Sequence, residues 1–491
     1  MVTLMPQREI RFRTTAPVPT HTEVDQKALL ARFAAIRSEL HVPGAFPSDV
    51  EAEAEQAVRD LVMPDRDETG VPFVTVDPVG SMDLDQALHL ERARAGYRVR
   101  YAIADVPAFV APGGALDAET HQRVETVYAP DERVPLHPAV VGEDAGSLLP
   151  GALRSAFVWD IALDGDAQVT GASVYRAQVR SHERLDYLGV QRAVDDGTAD
   201  DVLVLLREIG EKRIGLESDR GGASLPMPEQ EVTLDDDGCF VLGFRPPVRA
   251  EDWNAQLSLL TGMVAARMMM DGQVGILRTM PPPDEGSVAR FRRQARAIGV
   301  DWPREQRYGD FIRGLDLADP RQLALVHEAA GLFRGASYTP FDGEVPAQPV
   351  HAAVAAPYAH VTAPLRRLVD RYGLVVCAAL SAGTEVPAWA KDALSELPKT
   401  MQAGDERAKA VERASTDAVE AAVLASRVGD VFTADVVDVD PKRGRATVQL
   451  TDPAIVASAQ GDVKLGRQVQ VKLEGADIAA GTIVLQVVQG S

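Results

Sequence analysis

The chain opens without a hydrophobic period. Basic residues, Thr and Pro alternate from Met1 to Thr20, and no regular element is expected there. Leu29, Leu30, Phe33, Ala34 and Ile36 then recur at helical spacing across Asp25–Leu40, until Pro43, Gly44 and Pro47 break the run. Ser48 and Asp49 stand where an N-cap would, and predict a second helix reaching Leu61. From Gly70 to Asp166 the period shortens: Phe73–Val76, Ala87–Leu90, Tyr97–Ile103 and Ala156–Leu163 read as strands between turns. Helical spacing returns over Asp186–Leu216, Trp253–Met270, Val288–Ala297, Pro320–Phe333, Leu365–Ala382 and Asp405–Ser426. Beyond Gly429 the pattern is β again, in Val431–Val439, Arg445–Leu450, Lys464–Leu473 and Thr482–Val488.

These runs predict an α+β protein. Its large middle mixes strands and helices without the regular alternation of a doubly wound sheet. The last stretch, four or five short strands, suits a small OB-fold barrel. The expected division is a small helical region over 1–67, a catalytic domain over 68–427 and the barrel over 428–491.

Charge sharpens the picture. With 72 acidic against 51 basic residues the net charge is −21, which argues against a protein that coats nucleic acid nonspecifically. It suits an enzyme whose positive charge is confined to one channel. The two cysteines, Cys239 and Cys377, are far apart and form no zinc or disulfide pattern. With no apolar leader or membrane-length run, a cytoplasmic protein without membrane contact is expected.

The candidate chemistry lies in Val76-Asp77-Pro78-Val79-Gly80-Ser81-Met82-Asp83-Leu84-Asp85-Gln86, between two β runs. Three carboxylates packed into one turn repel one another unless a cation sits among them, and magnesium favours such hard oxygen ligands. A solvated acidic turn is the plain alternative, since Asp is common in turns. A calcium loop is disfavoured because the D-x-[DN]-x-[DN]-G order is absent. Downstream, Tyr358-Ala-His-Val-Thr-Ala-Pro364-Leu-Arg366-Arg367-Leu-Val-Asp370 places Pro364 at the expected first turn of a helix, with two arginines beside an N-terminus that favours anions.

The acidic turn resembles the hallmark of the RNB domain of the ribonuclease II/R family, T-[IV]-D-x(5)-D-x-D-D-A. Asp77, Asp83 and Asp85 match three of its four acids, and Gln86 stands in place of the fourth. Four further segments follow in the family's order: Tyr101-Ala-Ile-Ala-Asp105-Val106, Pro112-Gly-Gly-Ala-Leu-Asp117, Val127-Tyr128-Ala-Pro-Asp131, and Ser147-Leu-Leu-Pro-Gly151. The arginine segment is similar to the family's "HFTSPIRRYxD". The resemblance spans roughly residues 70–425.

It implies a 3′-to-5′ exoribonuclease that hydrolyses single-stranded RNA to nucleoside 5′-monophosphates, working as a monomer with magnesium, for which manganese substitutes. Asp77, Asp83, Asp85 and Gln86 are then the metal ligands. Asp83, Asp85 and Arg366 are the catalytic groups, Arg366 steadying the scissile phosphate. Tyr187 is expected to stack on the terminal base, Arg367 to meet phosphate and Glu406 to bond ribose hydroxyls. Relatives carry cold-shock barrels ahead of this domain, for which the first 67 residues leave no room, so digestion of duplexes with short 3′ overhangs is expected. The C-terminal barrel resembles an S-one-type RNA-binding domain, though Phe432 is its only aromatic residue. Gln86 keeps open a non-catalytic RNA-binding protein. A metal phosphohydrolase acting on a small nucleotide is the third reading.

Overall fold

The computed structural model describes residues 23–223, 229–234, 240–245, 248–440, 442–450 and 455–490. The segment Met1 to Thr20 and Cys239 lie outside these residues.

Both N-terminal helices form, over Glu23–Glu39 and Ser48–Arg59. Leu29, Phe33 and Ile36 of the first bury against Val411, Ala418 and Val419 of the long helix Leu397–Ala425. The second starts differently from the expectation. Pro47, in extended conformation, occupies the cap position and Ser48 is already helical, with no side-chain cap bond.

Strands Phe73–Val76, Gln86–Ala93, Gly96–Ala104, Leu153–Asp164 and Val169–Leu185 close into a barrel, in that order. Neighbours are antiparallel, except that the last strand returns parallel to the first. Tyr97, Val99, Tyr101 and Ile103 face Leu163, Ile161, Trp159 and Phe157 across one ladder, and these inward rows form the core. The sequence pattern gave four of these strands but not the closure. The strand Val169–Leu185 was missed because it buries only scattered residues, among them Val174, Ala177 and Val179, between exposed ones. Closure has a direct consequence for the site: the amide of Asp77, just past the first strand, donates to the carbonyl of Leu185 at 3.1 Å.

The helical stretch expected over Asp186–Leu216 is two helices, Tyr187–Asp195 and Asp201–Arg220. Asp186 and Asp200 cap them, accepting from the amides of Gly189 and Leu203. The helix Arg249–Asp271 is buried along most of its length beside the barrel. Helices Glu285–Ala297, Tyr308–Arg313 and Pro320–Ala329 surround a separate core of Phe291, Trp302 and Phe311, with the Trp302 and Phe311 rings stacked at 4.6 Å. The long helix Leu397–Ala425 begins eight residues before the expected Asp405, because a proline in its first turn is compatible with a helix start.

The C-terminal barrel has five strands, Val431–Asp440, Arg445–Leu450, Ile455–Gln460, Gln468–Asp477 and Thr482–Gly490. Their order is first, second, third, fifth, fourth, with the third and fifth parallel, which is OB topology. The protein is thus α+β, with barrels at both ends of a helical middle. Among the described residues no helix is long and apolar enough to cross a membrane.

Candidate active site

The acidic turn is fixed from several sides. Gly80 adopts φ +88, a conformation that costs glycine little. The hydroxyl of Ser147 accepts from the amide of Leu84 at 2.9 Å and donates to the carbonyl of Met82 at 2.6 Å. The amide of Leu148 donates to the carbonyl of Leu84, and that of Ala104 to the carbonyl of Asp85. The Ser147-Leu-Leu-Pro-Gly segment therefore acts as a brace for the carboxylates.

Each carboxylate has a different environment. Asp85 is buried, and one of its oxygens accepts from the amide of Leu365 at 2.7 Å. The other oxygen lies 3.4 Å from the Nε of Arg366. Burial pushes the Asp85 carboxyl well up, against the pull of Arg366 and the Leu365 amide. Asp77 is pushed up to about 6, first by burial, and its neighbour Asp83 adds to the rise. Its Oδ2 is buried with no hydrogen-bond partner. Asp83 is ion-paired with Arg133, whose other side meets Glu143.

Gln86 is held as part of the same corner. Its Nε2 donates to the carbonyl of Thr362 at 2.7 Å, and its Oε1 accepts from the hydroxyl of Tyr101. The amide is thus spent on the protein. Among the described residues no three His, Cys, Asp or Glu side chains form a ready metal cage. Asp83 nevertheless acts electrostatically on both Asp77 and Asp85. A divalent ion fits in part: the unpartnered oxygen of Asp77 is a buried anionic donor, and Asp83 and Asp85 are close enough to repel each other. Arg133 and Arg366 currently supply the compensating charge.

The arginine segment departs from the expected helix. Helix Leu368–Ala382 begins after it, and Arg366 sits on the preceding turn. The cause is strand-like pairing with residues 124–126. The Thr126 amide donates to the carbonyl of Arg366 at 3.0 Å, and the Leu368 amide to that of Val124 at 2.9 Å. Arg367, at the cap position, is clamped by both oxygens of the fully buried Asp370, at 2.8 and 2.9 Å. Asp370 also accepts from the Ala363 amide.

Two tyrosines near the site differ in exposure. Tyr187 is only 8% exposed, lies in the main core and accepts from Asn254 Nδ2 at 3.3 Å. Asn254 also reaches the carbonyl of Val76, so the Tyr187 hydroxyl lies close to the start of the acidic turn. Tyr128 is 47% exposed, while its hydroxyl end is enclosed near Asp83, Arg366 and Arg133. Tyr128 was legible only as part of the Val127-Tyr128 motif, and Arg133 gave no signal at all. Glu406 is exposed on the long helix and accepts from Gln402 at 2.8 Å; among the described residues no hydrogen bond or ion pair joins it to the acidic turn. Glu125, half-buried and backbone-paired with Arg367, has an enclosed Oε1, and burial pushes it up to about 7.

Comparison with known proteins bears on the family and the fold. The RNB domain profile matches residues 65–380, and the profile of the RNase II-type exonuclease C-terminal S1 domain matches residues 430–488. Exoribonuclease 2 of Aeromonas hydrophila is 27% identical over 228 residues, covering 45% of this chain and 34% of that protein. The chain thus spans about a third of that curated relative's length. Mycoplasma genitalium RNase R, solved in complex with ribose-methylated single-stranded RNA, superposes with a TM-score of 0.83 at 18% identity, covering 94% of this chain and 78% of that one. Yeast Ssd1, described as a pseudonuclease, superposes at 0.65 with 16% identity, over 88% and 53%. The profile match extends over well more than half of the residues, so this chain belongs to the RNB domain family.

Proposed function

We propose that the chain is a 3′-to-5′ exoribonuclease that hydrolyses single-stranded RNA to nucleoside 5′-monophosphates with magnesium as its divalent ion. The observation that carries the reading is the meeting of Asp85 with Leu365 and Arg366, segments 280 residues apart in sequence. A carboxylate turn and an arginine thereby share one corner, the arrangement phosphodiester hydrolysis requires.

Asp77, with Asp83 and Asp85 beside it, would hold the ion. When bound, the ion supplies Lewis acidity at the scissile phosphate. Arg366 faces the same corner and stabilises negative charge developing on the phosphate oxygens. The half-exposed ring of Tyr128 gives the terminal base a stacking face indifferent to its identity. Gln86 contributes by position: its amide ties the turn to Thr362, next to the arginine segment.

Incubating a 3′-end-labelled oligoribonucleotide with the protein and magnesium tests the reading, with Asp85→Asn as control. Labelled 5′-mononucleotide is expected as the first product, from wild type alone. The same proposal extends to duplexes with short 3′ overhangs, which should shorten past the junction. Binding of the oligomer without release of mononucleotide would favour the second reading, an RNA-binding protein with a decayed centre. That alternative is supported by the neutral Gln86, by Arg133 seated on Asp83, and by the fold shared with a pseudonuclease.

A further inference from the structure

The peptide group between Pro364 and Leu365 is gripped at both ends. Its amide donates to Oδ1 of Asp85 at 2.7 Å. Its carbonyl meets Nε2 of His137 at 3.2 Å, within hydrogen-bond range. The carbonyl and the amide of a trans peptide point to opposite sides, so one flat unit lies between the imidazole and the carboxylate. Hydrogen bonds in such a chain polarise one another, and a donor on the carbonyl makes the amide a stronger donor to the carboxylate.

His137 is costly where it stands. It is 1% exposed and lies just beyond the strand Arg133–Val134. A carbonyl only accepts, so Nε2 must carry the ring proton. Nδ1 is then a buried acceptor, and among the described residues it has no hydrogen-bond partner. An apolar side chain of similar size would leave no such orphan, and a buried polar atom left unsatisfied calls for a reason. Burial, with Arg371 and Arg123 nearby, lowers the His137 pKa to about 4, so near neutral pH the ring is a single, fixed donor. Its surroundings are braced. The Leu136 amide donates to the hydroxyl of Thr126 at 3.2 Å, and the Thr126 amide donates to the carbonyl of Arg366. The Leu365 side chain is packed with Val106, Phe109 and Val141.

We propose that His137 is a positioning residue for Asp85: through the Pro364–Leu365 peptide it keeps Oδ1 occupied by an amide, and so keeps Oδ2 turned toward Arg366 and the reacting phosphate. This role rests on the reading of the corner as a hydrolytic centre. Oδ2 already lies 3.4 Å from the Nε of Arg366. The imidazole is enclosed and touches no substrate, so its loss should be felt in kcat and not in KM.

The test compares wild type, His137→Leu and His137→Gln in the full chain. Glutamine places its amide nitrogen as many bonds from the backbone as Nε2 and can donate to Pro364; leucine cannot. Without metal or RNA, the Leu365 amide is followed by NMR on protein labelled with 15N-leucine, its signal assigned by its loss in Leu365→Met. The signal should move upfield in His137→Leu and stay near its wild-type position in His137→Gln. With magnesium and a labelled oligoribonucleotide, kcat should fall roughly ten- to hundredfold in His137→Leu at unchanged KM, and His137→Gln should recover most of it. Should the leucine variant not fold, His137→Asn replaces it, since its amide nitrogen sits at the Nδ1 position and falls short of Pro364. An unmoved Leu365 signal would overturn the proposal, as would a shift or a loss of kcat equal in both variants, which would reflect the missing ring alone. Unchanged kcat in His137→Leu would do the same. If the wild type itself released no mononucleotide, the exoribonuclease reading would fail, and the Leu365 signal would still decide whether His137 holds the peptide on Asp85.

Discussion

Replacing Gln86 by Glu tests the joint between the two halves of the active site. The change is nearly isosteric, and one carboxylate oxygen can still accept from Tyr101. The other replaces the Nε2 that donates to the Thr362 carbonyl at 2.7 Å. Two acceptors then face each other in a place where Thr362 is 2% exposed. Leaving that carbonyl unsatisfied costs about 1–3 kcal/mol. The new carboxyl can recover the bond only by keeping its proton, so its folded-state pKa lies above its unfolded value. The folded state then binds the proton more tightly, and stability falls as pH rises from the unfolded pKa toward the folded one. The slope should approach about 1.4 kcal/mol per pH unit until the full cost is reached. Urea unfolding followed by tryptophan fluorescence suits this test, because Trp159 is buried in the catalytic barrel. The variant should match wild type near pH 4 and fall below it by pH 8. Magnesium should restore part of the loss, because it brings positive charge to the same corner. Equal stability at pH 8, with and without magnesium, would mean that the amide does not join the turn to the arginine segment.

Four further substitutions probe neighbouring groups. Arg133→Ala should raise the affinity for manganese, read by electron paramagnetic resonance, and lower metal-free stability; no change in either would show that Asp83 does not depend on the guanidinium. Tyr128→Ala should weaken oligoribonucleotide binding by about 1–3 kcal/mol with little change in melting temperature. Tyr187→Ala should instead destabilise the fold by roughly 3–5 kcal/mol, as removal of a large core side chain does, and the reverse pattern would return the stacking role to Tyr187. Glu125 is pushed up to about 7 from 4.5 by burial, so its ionisation lowers stability as pH rises through that window. Glu125→Gln should therefore stabilise the protein by about 3 kcal/mol at pH 8 and by little at pH 4, and a pH-independent difference in unfolding free energy would contradict the assignment.

What the sequence made legible, and what it hid, follows from how far each signal reaches. The acidic turn could be read because its residues are neighbours and their chemistry is local. Its braces could be read as motifs but not as braces: Ser147 holds the turn, Asp105 accepts from Ser155 and pairs with Arg176, and Asp117 is ion-paired with the buried Arg371. The arginine segment was assigned to a helix because Pro364 and the residues after Leu365 suit one, whereas pairing with residues 124–126 delays that helix to Leu368. Local propensity lost there to a partner some 240 residues away, which no window along the chain contains. Arg133 shows the same limit in electrostatic form. As a sequence feature it is one more arginine in a turn, usually solvated; in the fold it neutralises Asp83 and turns from there to Glu143. The types of donor in the site are thus encoded locally, but its charge balance is set by groups from separate segments. For that reason Gln86, the one visible departure in the motif, cannot be judged alone: removing an acid and adding a guanidinium both make the corner less negative, and metal affinity will depend on their sum.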